Sequence, residues 1–139
     1  MTDVPPEPEL GPEDRALYEQ GVGEFNTGLF FECHETLEDL WTGVRGPSRD
    51  FFQGLIQISV ALYPLTRGNF GGAKSLFERG LKRLEKYPER YYGLELGALR
   101  EEARTWLARA QSGDIAPSDV ELAALPKCRW ASPPGGGAS

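Results

Sequence analysis

Apolar residues recur along this chain with the spacing of an α-helix. In the stretch that begins at Phe30 they fall at every third or fourth position, and a turn of about 100° per residue places them on one continuous arc. Four other stretches show the same spacing, and no segment alternates apolar and polar residues convincingly, as a half-buried strand would. The pattern predicts an all-α domain of about five helices. Their expected ranges are residues 12–28, 30–44, 49–65, 70–86 and 95–111.

Helix-breaking residues support these boundaries. Pro12 suits the first turn of the first helix, and Gly28 follows its end. Gly46 and Pro47 separate the second helix from the third. Because proline lacks the N–H that an inner helical turn needs, we expect Pro64 to kink or end the third helix.

An internal repeat indicates how the helices are paired. Placing Gly28 on Gly68 also places Phe30 on Phe70, and the apolar positions that follow coincide. This is the pattern of the second helix of a helical hairpin. We therefore expect helix one to pack on helix two and helix three on helix four, with the fifth helix closing a compact bundle.

The segments on either side of the bundle differ from it in composition. Residues 1–11 are mostly proline and acidic side chains, so we expect them to be disordered. Residues 12–112 form the helical bundle domain. Residues 113–139 should be an extended, partly disordered tail, with one helical turn near 120–124 and a glycine- and proline-rich end.

Net charge, hydropathy and cysteine content indicate which partners and which cellular compartment to expect for this chain. The chain has 139 residues with a formal net charge of −6 and shows no basic stripe, so we expect no nucleic-acid partner. No apolar run approaches the roughly 20 residues of a membrane span, so we expect no membrane partner. The first residues lack the pattern of a signal peptide. Two cysteines are too few for a disulfide framework, and we expect a cytoplasmic protein with reduced thiols.

The stretch "GLFFECHETLEDLW" carries the chain's one histidine, His34. It differs by one residue from the zinc-protease pattern His-Glu-x-x-His, because Glu38 stands where the second histidine would be. Helical geometry places His34 and Glu38 together at the margin of the apolar arc, beside Trp41. Glu35, the general base of a zinc protease, points more toward solvent. The His34–Glu38 pair is therefore the candidate centre of chemistry.

The third helix is apolar nearly all round and should be buried. Its narrow polar strip is Asp50, Gln53 and Gln57, and buried amides need hydrogen-bond partners. We expect these glutamines to meet the polar margin of the second helix in a semi-buried His/Glu/Gln cluster, with further side chains joining from the turns. The candidate site residues are His34, Glu35, Glu38, Trp41, Arg49, Gln53, Gln57, Arg67 and Asn69.

Two further features are interpreted as structural. Cys33 lies on the apolar arc, which favours a buried and inert thiol over a nucleophile. The fourth helix carries a mildly basic outer surface, which we interpret as a solvated face. Its cations are Lys74, Arg79, Lys82 and Arg83.

Two motifs carry a resemblance to a known family. Phe-Glu-x-His-Glu-x-x-Glu-x-x-Trp begins at Phe31, and Arg-x-Phe-x-Gln-Gly-x-Ile-Gln begins at Arg49. With them, residues 25–107 resemble the small prokaryotic family catalogued as domain of unknown function 309. The resemblance implies a compact five-helix bundle without an established activity. Many relatives place a histidine after the tyrosine of the third helix, where this chain has Pro64. The family motif maps onto Phe31, Glu32, His34, Glu35, Glu38, Trp41, Arg49, Gln53, Gly54, Gln57, Arg67, Gly68 and Asn69.

Two classes of function stay open. The first is a non-enzymatic interaction or small-ligand-binding module, with a homodimer, a protein partner or a small polar ligand as its occupant. The alternative is an enzyme, a metal-assisted hydrolase among the options, that uses His34 with Glu38 or Glu35 as its acid–base centre. One histidine and no cysteine pair with ligand spacing lead us to expect no metal and no cofactor.

Overall fold

The computed structural model of the chain describes residues 4–131. Within this range the five α-helices pack in chain order, each one against the next. This confirms the prediction of an all-α bundle built from helical hairpins, and each helix ends within a few residues of its expected position. The helices are α1 (Pro12–Asn26), α2 (Phe30–Gly43), α3 (Arg49–Thr66), α4 (Phe70–Leu84) and α5 (Leu96–Ser112).

The repeat found in the sequence corresponds to two equivalent turns. Gly28 precedes α2 with a φ of 82°, and Gly68 precedes α4 with a φ of 80°. A side chain with a Cβ is strained in this left-handed conformation, so glycine is the residue that lets both hairpins turn in the same way. Pro64 lies two residues before the end of the third helix, since α3 continues through it to Thr66, one residue beyond the expected end. So close to the helix end, proline removes a single backbone hydrogen bond that the last turn tolerates.

The centre of the bundle is α3, which packs against both α2 and α4. Two glycines bring α3 and α4 into close approach. A Cβ added at Gly80 would lie 3.1 Å from the carbonyl oxygen of Gly54, and one added at Gly54 would lie 3.3 Å from the carbonyl oxygen of Gly80. The largest fully buried side chains are Tyr18, Tyr91, Phe25, Phe51, Phe52, Phe77, Leu37, Leu40, Leu55, Ile58, Leu62 and Leu65.

A short hairpin between α4 and α5 was not predicted from the sequence. Strands β1 (Arg90–Tyr91) and β2 (Leu94–Glu95) pair antiparallel, with Arg90 opposite Glu95. The two turn residues, Tyr92 and Gly93, have φ values of 46° and 75°, which matches a type I′ turn. Strands of two residues are too short to show an alternating pattern, so periodicity could not reveal them.

Segments on both sides of the helices reach this hairpin. The hydroxyl groups of Tyr91 and Tyr92 donate hydrogen bonds to the carbonyls of Pro6 and Pro8. From the other side, Trp130 forms an isolated antiparallel bridge with Leu94. Two short 3-10 helices, Pro117–Asp119 and Leu122–Ala124, lie between α5 and Trp130.

The domain boundaries predicted after residues 11 and 112 stay a prediction. The expected disorder at residues 1–3 and the expected glycine-rich end at residues 132–139 fall outside the described residues. Across residues 4–131, no helix has both the length and the apolar character that a membrane crossing requires.

Candidate functional site

His34 and Glu38 form the hydrogen-bonded pair that their helical spacing predicts. Nε2 of His34 lies 3.0 Å from Oε2 of Glu38, one turn further along α2. The pair lies at the surface, with 34% of the His34 side chain and 53% of the Glu38 side chain exposed. Phe31, also exposed, packs edge-on against the imidazole with ring centroids 6.4 Å apart. Glu35 is exposed, as its position on the helix predicts.

Trp41 and Arg49 form a second unit at the turn between α2 and α3. The guanidinium carbon of Arg49 lies 3.9 Å from the centroid of the Trp41 ring, a cation–π distance. One of its nitrogens, Nη1, donates to the carbonyls of Trp41 at 3.1 Å and Val44 at 2.6 Å. A cation that binds carbonyls at the end of α2 also complements the helix dipole. Arg49 therefore has a clear structural role in fixing this turn.

The glutamines of α3 do not meet the polar pair of α2. Oε1 of Gln57 accepts a hydrogen bond of 3.0 Å from Nε of Arg83 on α4. Gln53 is half-buried on α3, and within residues 4–131 no hydrogen bond joins either glutamine to His34 or Glu38. A helical projection assigns Gln57 to a face but cannot decide which neighbouring helix covers that face. The expected His/Glu/Gln cluster is therefore divided between two sides of α3.

Asp50 links α3 to Arg83 on α4 and to Lys86 just beyond the end of α4. Nη1 of Arg83 lies 2.6 Å from its Oδ1, and the ammonium group of Lys86 bonds its Oδ2. The hydrogen bond from Lys86, together with the charges of both cations, lowers the pKa of the Asp50 carboxyl below its ordinary value. Asp50 is therefore ionised at neutral pH and neutralises part of the positive charge around it.

A groove of about 310 Å³ lies over this contact between α3 and α4. Four of its lining side chains are cations, and one is a carboxylate. We call it the basic groove, and its residues are Asp50, Gln57, Arg79, Lys82, Arg83 and Lys86. Of the expected site residues it contains Gln57 alone. The sequence signal for it was the recurrence of cations on one face of the fourth helix, opposite a carboxylate in the polar strip of the third.

Arg67 and Asn69 lie at the other end of α4. The side chain of Asn69 caps the helix, because its Oδ1 accepts a hydrogen bond of 3.1 Å from the N–H of Gly72. The guanidinium carbon of Arg67 lies 5.3 Å from the ring centroid of Tyr63. A largely apolar groove of about 550 Å³ lies beside them. Its residues are Val60, Tyr63, Pro64, Arg67, Asn69, Gly72 and Leu76.

The cysteines are buried, and the acidic residues do not gather into a metal centre. Burial raises the pKa of the Cys33 thiol to about 12, and it also raises the pKa of Cys128 well above its ordinary value. Both side chains are free thiols. Within the part of the chain that the structure describes, no three His, Cys, Asp or Glu residues are grouped so that they could hold a metal ion.

Comparison with known proteins confirms the family resemblance. Residues 18–76 match the model of the family described as Domain of unknown function (DUF309), and this segment reaches from α1 into α4. It contains the His34–Glu38 pair, Arg49 and Gln57. The segment from Tyr18 to Leu76 is therefore similar to this family.

Two curated relatives are themselves uncharacterised. The chain is 27% identical over 85 residues to an uncharacterized protein of Aquifex aeolicus (strain VF5), and 40% identical over 57 residues to the uncharacterized protein YpuF of Bacillus subtilis (strain 168). These alignments cover 60% and 40% of this chain, but 26% and 33% of the two relatives. The chain thus matches a third or less of the length of each relative.

Proposed function

We propose that this chain, whose residues 18–76 are similar to a family of unknown function, is a non-enzymatic module that binds a small polyanion in the basic groove. The observation that carries the proposal is the arrangement of Arg79, Lys82, Arg83 and Lys86 around the single carboxylate of Asp50. This concentration of cations contrasts with a chain whose formal net charge is −6.

The spacing of the cations on α4 supports this role. Arg79 and Arg83 are four residues apart on α4, so they lie on the same side of the helix one turn apart, and Lys82 lies beside them; Lys86 follows just beyond the helix end. Like charges at this spacing destabilise a helix by roughly 0.2–0.5 kcal/mol per pair. An anion that bridges these cations would relieve the repulsion, and its binding would stabilise the folded state.

The partners of Asp50 divide the groove into two parts. Arg83 and Lys86 are engaged by the carboxylate. Among residues 4–131, no acidic side chain forms an ion pair with Arg79 or Lys82. These two exposed cations are therefore the ones that we expect to meet a ligand first. A volume of about 310 Å³ fits a compact ligand, and the charge favours a phosphate ester or a di- or tricarboxylate.

The test is a ligand titration at constant ionic strength. Pyrophosphate and citrate would be titrated by calorimetry and thermal shift, with sodium chloride as the control for screening. The double variant Arg79→Gln/Lys82→Gln should bind about tenfold more weakly or worse, since a hydrogen bond to a charged group contributes roughly 1.5–3 kcal/mol.

A matched control removes the same number of charges elsewhere. Lys74 on α4 and Arg104 on α5 are exposed and do not line the basic groove. The double variant Lys74→Gln/Arg104→Gln should keep the wild-type affinity. The proposal fails if both double variants lose affinity equally, or if chloride at the same ionic strength produces the same thermal shift.

The competing proposal is an enzyme with His34 as its acid–base residue. Its support is the hydrogen bond of 3.0 Å to Glu38, which orients an imidazole that solvent can reach. A screen of ester and phosphoester substrates tests it. Turnover that disappears in His34→Ala, falls in Glu35→Gln or Glu38→Gln, and persists in Lys74→Gln/Arg104→Gln would favour the enzyme. Turnover that survives in His34→Ala would rule it out.

We also propose that the chain forms a homodimer and that it is located in the cytoplasm. Exposed apolar side chains at Leu29, Phe31 and Tyr63 support a homodimer, which sedimentation velocity over a range of concentrations would test. The two free, buried thiols at Cys33 and Cys128 support a reducing cytoplasm, which fractionation of cells that express the chain would test.

A further inference from the structure

The hairpin between α4 and α5 holds an extended segment of the same chain. The hydroxyl of Tyr91 donates to the carbonyl of Pro6, and the hydroxyl of Tyr92 donates to the carbonyl of Pro8. The two acceptors are separated by one residue, Glu7, and residues 4–11 adopt neither helix nor strand. Adjacent tyrosines thus bind alternate carbonyls of a proline-rich stretch.

The sequence of this segment fixes its extended shape before it binds. Proline restricts its own φ to about −65°, and it disfavours the helical conformation in the residue before it. In "VPPEPEL" the residues Val4, Pro5 and Glu7 each precede a proline. The segment therefore loses little conformational entropy on binding, which is the property that aromatic-lined grooves use to recognise proline-rich peptides.

The tyrosines that bind the segment are held rigidly. Tyr91 is fully buried and Tyr92 is 8% exposed, and their hydroxyl groups bind the segment. Tyr92 has a φ of 46°, an uncommon value for a residue with a large side chain. Its carbonyl accepts a buried hydrogen bond of 2.7 Å from the hydroxyl of Tyr18, which stabilises the turn in this conformation. Such local strain is concentrated at functional and ligand-binding sites.

We propose that Tyr91 and Tyr92, with Tyr18 supporting their turn, form a binding site for extended Pro-x-Pro peptides, and we call these three residues the tyrosine clamp. Its resident ligand is the chain's own Pro6-Glu7-Pro8, and its partner is a Pro-x-Pro segment of another protein that displaces this resident. The recognition joins tyrosine hydroxyl groups to backbone carbonyls, so a segment with the same proline spacing makes the same contacts. The resident prolines are exposed, and they join α1 through Gly11, whose backbone is extended.

The resident segment acts as a competitor within the chain. A segment tethered by a few residues is present at an effective concentration in the millimolar range, so a partner peptide in solution binds weakly while the resident is in place. Weakening the resident should therefore strengthen the binding of a peptide added in solution. A purely structural contact would not give this gain in affinity, so the gain distinguishes a binding site from a structural contact.

The experiment uses a fluorescent peptide of the sequence TDVPPEPEL, corresponding to residues 2–10, and the full chain. In fluorescence anisotropy the variant Pro6→Gly/Pro8→Gly should bind this peptide roughly tenfold more tightly than the wild type, because flexible glycines weaken the resident. Adding Tyr91→Phe/Tyr92→Phe should remove the gain, since the rings stay and the two donors are lost. The peptide TDVGGEGEL is the control and should bind weakly to every variant.

Each outcome decides the proposal. No gain in the glycine variant overturns it, as does equal binding of the two peptides or a gain that survives loss of the hydroxyl groups. Circular dichroism checks that each variant is folded, and Pro8→Gly alone serves as a milder version of the first variant. If the wild type sediments as a dimer that the double phenylalanine variant dissociates, the segment is exchanged between copies, and the assignment to another protein is overturned.

Discussion

Replacing Gly80 with alanine tests whether glycine is needed where α3 crosses α4. The new Cβ would lie 2.8 Å from Cδ1 of Ile58 and 3.1 Å from the carbonyl oxygen of Gly54. The first contact involves a fully buried side chain, and the second involves a helix backbone. Neither neighbour can retreat into solvent. The two helices would therefore have to move apart, and this would also move Asp50 away from the cations of the basic groove.

The magnitude follows from two opposing effects. Alanine is favoured over glycine in a helix interior by about 1 kcal/mol. Overpacking a closely packed core costs about 1–3 kcal/mol. Since both contacts are well inside normal van der Waals separation, the second effect should prevail, and Gly80→Ala should lower the free energy of unfolding by up to about 2 kcal/mol.

The assay is urea denaturation followed by circular dichroism, with Gly23→Ala as the matched control. Gly23 is an exposed residue within α1, and a Cβ added there meets nothing within 4 Å. That substitution should stabilise the protein by up to about 1 kcal/mol, because the propensity gain acts alone. The two variants should therefore move the unfolding midpoint in opposite directions.

A second substitution identifies the atom responsible. Ile58→Val removes Cδ1 and should cost about 0.5–1.5 kcal/mol in the wild type. In the Gly80→Ala background it should cost less, because the same atom is the one that collides with the new Cβ. The reasoning is refuted if Gly80→Ala is as stable as Gly23→Ala, or if Ile58→Val costs the same in both backgrounds.

Three further predictions concern charge, burial and stacking. The pKa of Asp50 is lowered in the folded state, chiefly by the hydrogen bond from Lys86. The ionised carboxylate therefore stabilises the fold fully above the unfolded pKa of about 3.9, and this stabilisation is lost as the pH falls through the folded pKa. The urea midpoint of Asp50→Asn should consequently fall less than that of the wild type on acidification below about pH 4, and parallel pH profiles would contradict this. Burial raises the pKa of Cys33 to about 12, so a thiol reagent at pH 8 should modify this cysteine only after urea unfolds the chain. Rapid modification in native buffer would show that Cys33 is not buried. Arg49→Ala should lower the free energy of unfolding by about 1–2 kcal/mol, because the variant loses both the stacking on Trp41 and two hydrogen bonds. An unfolding midpoint equal to that of the wild type would show that this turn does not need Arg49.

The helices and their order could be predicted because they follow from local physics. The periodic apolar positions after Phe30 and the punctuation at Gly28 and Gly68 are properties of short stretches, and the structure confirms them. The two-residue strands were not predicted, because they depend on a few backbone hydrogen bonds that periodicity does not register.

The candidate site could be predicted in part. The pairing of His34 with Glu38 follows from helical spacing alone, and the structure places the two atoms 3.0 Å apart. The partner of Gln57 could not be assigned, because α3 lies between two helices and its polar strip can face either one. The choice of Arg83 depends on how α4 packs across Gly54 and Gly80, which is a long-range property of the fold.

The corner at which Tyr18 meets Trp130 implies an order of events during synthesis. The two rings pack edge to face at 5.4 Å, although they lie near opposite ends of the described chain. Helices α1 to α4 pair with their sequence neighbours and can form as soon as residue 84 has left the ribosome. The corner must wait for residue 130, so until then the ring of Tyr18 lacks the indole that packs against it. The arrival of Trp130 is therefore the step that encloses Tyr18, whose hydroxyl holds the turn at Tyr92, and a nascent chain paused before Trp130 would carry a paired bundle in which this tyrosine is uncovered.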